Sequence, residues 1–219
     1  MNTVSAARRP PGRPRLDDST LPTADQIVQG AADLFMELGY RAVTMGMVAE
    51  RAGVTKAAVY YHFTDKAALL TEALVARFHQ IGEATDRILA RADPLRERLL
   101  ALATMVLGMP EPLTRVEILV RVASPDLSEV QREAIRVAIR AVDDSVIAAI
   151  RDGIGRREVR VLDPELLGRS FMTLMRVGGL RTQAGALRFP DPEGTARALV
   201  DMLWYGVAGG SMPPATEPS

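Results

Sequence analysis

Lys56, Tyr60, Tyr61 and His62 fall within the seven residues KAAVYYH, an array of hydrogen-bond donors and flat rings with no carboxylate among them. Such a set suits a polyanion. Ammonium, phenol and imidazole groups donate to phosphate oxygens, and side chains of this reach meet base edges in a major groove. Thr55 stands where an N-cap hydroxyl would open a helix through these residues, with Val59 and Phe63 facing inward and Ala57 on the outer surface. Tyr61 and Lys56 are expected at base edges; Thr44, Thr55, Tyr60, His62 and Lys66 are expected at phosphates. Catalytic chemistry is harder to assemble. His62 and His79 are the only histidines, and the absence of cysteine leaves neither a thiolate metal site nor a Cys–His pair. Gly153-Ile-Gly155 lacks the strand and helix of a phosphate loop, and Asp143-Asp144 reads as a solvated helix face. No enzyme activity, metal or cofactor is expected.

The elements that must position this array are short. In TMGMVAERAGVTKAAVYYHF, residues 44–63, Met45, Val48, Ala49 and Ala52 share one helical face before Gly53 interrupts the pattern. Gly53 supplies the left-handed backbone of a sharp turn, and a second helix starts after Thr55. Ahead of this pair, Ile27, Ala31, Leu34, Phe35 and Leu38 recur at three- and four-residue steps between Thr23 and a stop at Gly39. Behind it, Asp65 can cap a helix whose buried stripe is Leu69, Leu70, Leu74 and Phe78. The pattern is a helix-turn-helix within a three-helix unit, with the fourth helix as the mechanical link to the larger C-terminal part of the chain.

At these residues the chain resembles the TetR/AcrR family of bacterial transcriptional regulators. The resemblance is carried by Gly39, Thr44, Ala52-Gly53-Val54, Thr55, Tyr60-Tyr61-His62-Phe63 and Lys66, and it covers roughly residues 23 to 70. Ala57 departs from it, since relatives often carry glycine there, and Gly46 is unusual for a helix former. The resemblance implies an all-α protein with an N-terminal three-helix DNA-binding domain and a larger C-terminal helical domain for ligand binding and dimerisation. It also implies a homodimer that binds a double-stranded DNA operator, as a repressor released by a small-molecule effector.

The 219 residues are 47% hydrophobic and 25% charged, with 27 basic and 27 acidic side chains, as in soluble globular proteins. Zero net charge argues against coating nucleic acid by bulk charge, so positive charge is needed only on a contacting face. No window reaches the length of a membrane span, no apolar segment comes after the N-terminal arginines, and a reducing cytoplasm fits the lack of cysteine. Four segments are expected: a disordered basic arm over 1–22, the DNA-binding domain over 23–70, the helical domain over 71–209 and a flexible tail over 210–219. Within the arm, Arg9-Pro-Pro-Gly-Arg-Pro-Arg15 resembles an AT-hook, which would place Arg13 and Arg15 in a minor groove; a solvated tail is the other reading. Helices are expected over roughly 81–91, 94–108, 112–123, 127–152, 164–184 and 192–207.

Two features of the larger domain have both a structural and a functional reading. Met105, Met109, Leu113, Ile118, Met172, Met175 and Trp204 are either plain core or the wall of a ligand cavity, since methionine adapts to irregular shapes. Arg115, Glu117, Arg121, Arg176 and Gln183 are either surface ion pairs or the groups that orient the ligand. Gly178-Gly179 between helical residues implies close approach of another helix. With Phe171, Leu199 and Leu203 it marks either intrachain packing or the four-helix dimer interface that the resemblance implies. Two other functions fit parts of the chain: an AT-rich architectural DNA binder led by the arginine arm, and a helical ligand carrier or enzyme whose helix-turn-helix serves packing.

Overall fold

The computed structural model describes residues 23–182 and 184–206. Among these the chain folds as α1 (Thr23–Leu38), α2 (Met45–Arg51), α3 (Lys56–His62), α4 (Lys66–Leu89), α5 (Leu95–Leu107), α6 (Leu113–Ala123), α7 (Glu129–Gly155), α8 (Pro164–Gly178) and α9 (Pro192–Tyr205), an all-α architecture. The arm with Arg13 and Arg15, the tail and Gln183 lie outside the described residues.

The short helices begin where side chains satisfy their orphan N–H groups. Thr44 Oγ1 accepts from Met47 N at 3.3 Å, Thr55 Oγ1 from Ala58 N at 3.1 Å and Asp65 Oδ1 from Ala68 N at 2.8 Å. Gly39 and Gly53 take φ of +82° and +67° in the turns after α1 and α2, a region that costs a residue with a Cβ. Ile27, Ala31, Leu34 and Phe35 of α1 pack with Val48, Val59 and Phe63 in a continuous core that extends to Val200 of α9.

α4 is the spine. The expected separate helix at 81–91 is its second half, because Gly82 alone neither caps nor breaks a helix, and the 24 residues run from the helix-turn-helix unit into the larger domain. The expected boundary at 70/71 falls inside it. α4 lies against α7, which Ser128 and Gln131 open with a reciprocal capping box.

α8 is shorter than the expected 164–184. It stops at Gly178, and the chain turns back on itself beyond Leu180, with Thr182 N donating to Ala186 O and Arg188 N to Leu180 O, each at 2.8 Å. The close approach inferred from Gly178-Gly179 is real but intrachain. A Cβ on Gly178 would stand 2.8 Å from Leu107 Cδ2 and 2.9 Å from Leu199 Cδ1, and one on Gly179 would stand 3.4 Å from Pro112 Cβ. Phe171 is fully buried, and Leu199 and Leu203 pack partly buried against the same core. Phe171, Gly178 and Gly179 therefore face their own chain rather than an interface. The outward edge of α8 and α9 carries Leu166, Val177, Met202 and Tyr205 instead, all exposed.

Candidate nucleic-acid interface and ligand cavity

α3 presents one outer surface. Val59 is buried completely and Phe63 nearly so, which turns Lys56, Ala57, Tyr60, Tyr61 and His62 outward; Tyr61 is 86% exposed. The Lys56 ammonium lies 5.8 Å from the Tyr60 ring centre, and Tyr61 and His62 meet edge to face at 5.1 Å. Thr44 and Thr55 spend a lone pair on their caps, so each hydroxyl hydrogen remains a donor for an incoming oxygen. These residues form a compact donor surface on the outside of the helix-turn-helix.

Lys66 has more to do than was expected of it. Its Nζ donates to the carbonyls of Tyr40 and Val43 at 3.0 and 3.1 Å and sits 4.4 Å from the Tyr40 ring centre. The ammonium thus pins the α1–α2 turn and keeps a third N–H for a phosphate. Tyr40, which spacing did not single out, links the two halves of the molecule. Its hydroxyl donates to Asp126 Oδ2 at 2.9 Å, in the connection between α6 and α7. Burial, reinforced by the Asp126 carboxylate, holds the phenol well above its ordinary range. A second tie joins the same regions, since Arg115 of α6 donates to the Glu37 carbonyl at 2.6 Å. On the outside of the small domain Arg51 grips Glu37 through two hydrogen bonds of 3.0 and 2.8 Å, and that bond keeps the Glu37 carboxyl below its usual range.

The larger domain holds a pocket, partly open to solvent, between α4, α5, α6, α7 and α8. Its walls are apolar, among them Phe78, Leu102, Val106, Val116, Ile139 and Val142. Of the residues expected there, Leu113 and Met172 line it. Met175 is core, Met105 and Met109 pack partly buried behind the wall, and Ile118 is half exposed, because one residue past Glu117 turns it about 100° away. Trp204 lines a separate hollow with Leu95, Leu99, Leu167 and Leu203. Four polar side chains enter the first cavity: Thr85, Glu117, Asp143 and Arg176. Glu117 Oε1 accepts from Arg176 Nε at 2.8 Å, so the expected ion pair and the expected ligand-facing groups are the same residues. Asp143 is not on a solvated face. It is half-buried, and desolvation raises its pKa against the opposing fields of Arg176 and Arg169, while Asp144 adds to the rise.

A capped recognition helix with an acid-free outer surface, joined through a long helix to a cavity-bearing helical domain, defines the helix-turn-helix class with an all-α companion domain. Residues 27–73 match the bacterial regulatory proteins of the tetR family. Over 91 residues it is 35% identical to the probable HTH-type transcriptional regulator ArpR of Pseudomonas putida, covering 42% of this chain and 41% of that one. The chain therefore spans about two fifths of the length of that curated relative. Its fold is similar to that of reduced NemR from Escherichia coli, with a TM-score of 0.70 and 19% identity over 83% of this chain and 97% of the other. A TM-score of 0.61 at 23% identity relates it to AibR, solved with isovaleryl coenzyme A and operator DNA, over 84% of this chain and 98% of that one.

Proposed function

We propose that the chain is a homodimeric transcriptional regulator that binds a palindromic operator in double-stranded DNA as a repressor and releases it when a small molecule fills the cavity. The observation that carries this reading is the outer surface of α3: donors and rings held outward by Val59 and Phe63, with its N-terminus capped by Thr55. A carrier or enzyme would have no use for that surface. Tyr61 and Lys56 read base edges, while Thr44, Thr55, Tyr60, His62 and Lys66 hold phosphates and Arg13 and Arg15 add minor-groove contacts. Action in the cytoplasm is part of the same proposal. No helix among the described residues is long and apolar enough to cross a membrane.

Release is a matter of geometry. Two recognition helices must stand about 34–36 Å apart to enter successive major grooves. α6 contributes Leu113, Val116 and Glu117 to the cavity and, on the same helix, Arg115 to the small domain; Asp126 lies just beyond its end. A ligand that displaces α6 therefore acts on the α1–α2 turn through Glu37 and Tyr40, in parallel with the route along α4. Ligand and DNA then weaken each other's binding by the same factor. The test is selection of duplexes from a random pool, then affinity at two salt concentrations. A palindrome is expected to emerge, and Lys56→Ala with Tyr61→Ala should weaken it at least about tenfold, from the ~1–3 kcal/mol of a good base contact. Enrichment of AT-rich DNA without a palindrome, or affinity unchanged by the double substitution, overturns this reading in favour of the arginine arm.

A further inference from the structure

We infer that the ligand of the α4–α8 cavity is a singly charged organic cation, an amine on an apolar body, with Asp143 as its counter-ion. The inference rests on the proposed function in taking this cavity as the effector site. Its basis is the charge inventory of the walls. Three ionisable side chains face the space: Glu117, Arg176 and Asp143. Glu117 and Arg176 neutralise each other through the 2.8 Å contact. Asp143, by contrast, makes no hydrogen bond and no ion pair within 4.0 Å among the described residues, and Arg176 and Arg169 act on it only through space. The site is thus left with one unmatched carboxylate in a mostly apolar enclosure.

Each ligand class meets this inventory differently. An anion would have to break the Arg176–Glu117 pair and still face Asp143. A neutral molecule leaves the carboxylate desolvated and unpaired, which is costly. An ammonium restores both charge balance and hydrogen bonding, and charge-assisted bonds of this type are the strong ones. A second polar anchor awaits the same ligand. Thr85 Oγ1 is fully buried, lines the cavity and has no hydrogen-bond partner. The apolar body of such a ligand would lie against Phe78 and the aliphatic walls.

The experiment uses the full chain and three probes that share one apolar body: 4-phenylbutylamine, 4-phenylbutan-1-ol and 4-phenylbutyrate, titrated by calorimetry near neutral pH. The amine should bind at least about tenfold tighter than the alcohol, and the acid weakest. Asp143→Asn should bring amine and alcohol to within about threefold while preserving alcohol binding. Glu117→Gln frees Arg176 and should raise the acid several-fold relative to the alcohol, a test that stands even if the Asp143 variant misfolds. Equal affinities, no amine binding, tighter binding of the acid, or a preference retained in Asp143→Asn overturns the inference. Anisotropy on a selected duplex separates it from the regulator reading. Amine binding without operator release overturns the release mechanism and leaves the ligand class intact, whereas release by the acid alone does the reverse.

Discussion

A single ammonium does the work of two contacts at the base of the DNA-binding unit. Lys66 satisfies two carbonyls of the α1–α2 turn. Lys66→Met should lower stability by about 1–3 kcal/mol, the cost of leaving such acceptors unpaired. Denaturant unfolding checks this, and operator affinity should fall beyond what lost stability explains. Asp143 has the opposite sign. Burial raises its pKa above the ordinary 3.8, so the fold favours the neutral acid. The contribution to stability is complete below the unfolded pKa and lost as pH rises through the folded one. At about pH 7 the native protein bears the cost of a desolvated carboxylate that asparagine removes. Melting of Asp143→Asn should therefore exceed the native temperature near neutrality and show no advantage at about pH 3. A lower melting temperature at neutrality would contradict the assignment.

At the level of elements, α3 and α8 are bounded by different physics. α3 has seven residues, too few to be stable alone, and its caps and two inward side chains hold it in place. Thr55→Ala should cost about 1 kcal/mol, visible in thermal melts and in weakened operator binding. α8 ends where α5 and α9 converge on a residue without a side chain. Gly178→Ala drives a methyl against Leu107 and Leu199 together and should cost about 1–3 kcal/mol through overpacking. A neutral or stabilising result would mean that both leucines swing aside freely.

For the molecule as a whole, the consequential joints are those between the halves and, in the dimer we propose, those between copies. The exposed row of Leu166 and Val177 on α8, with Met202 and Tyr205 on α9, is the face we assign to the dimer. Val177→Glu with Met202→Glu should yield monomers in analytical ultracentrifugation, and operator affinity should fall about a hundredfold or more as the two half-sites lose their linkage. Persistent dimers would place the interface elsewhere. Between the halves, Tyr40→Phe removes the hydroxyl that reaches Asp126. The ratio of operator affinities without and with 4-phenylbutylamine should change by roughly 2- to 30-fold, since single positions modulate coupling by about 0.5–2 kcal/mol. Apo affinity measured alongside separates altered coupling from damaged DNA binding.

Local chemistry made the DNA-binding unit legible in the sequence. Threonine and aspartate caps, left-handed glycines and a three-to-four apolar rhythm act within a turn or two, so Thr44, Gly53, Thr55 and Asp65 mark their elements unaided. The same rhythm shows which face of a later helix is buried, but not which helix it meets. Met105, Met175 and Trp204 were therefore indistinguishable from cavity wall, Asp143 looked solvated, and Phe171 and Gly178 looked like interface. Only tertiary packing decided these, because a cavity and an interdomain tie are made by residues distant in sequence. Tyr40 and Asp126 are 86 positions apart and Glu117 and Arg176 are 59 apart, and no periodicity within one helix encodes such pairings.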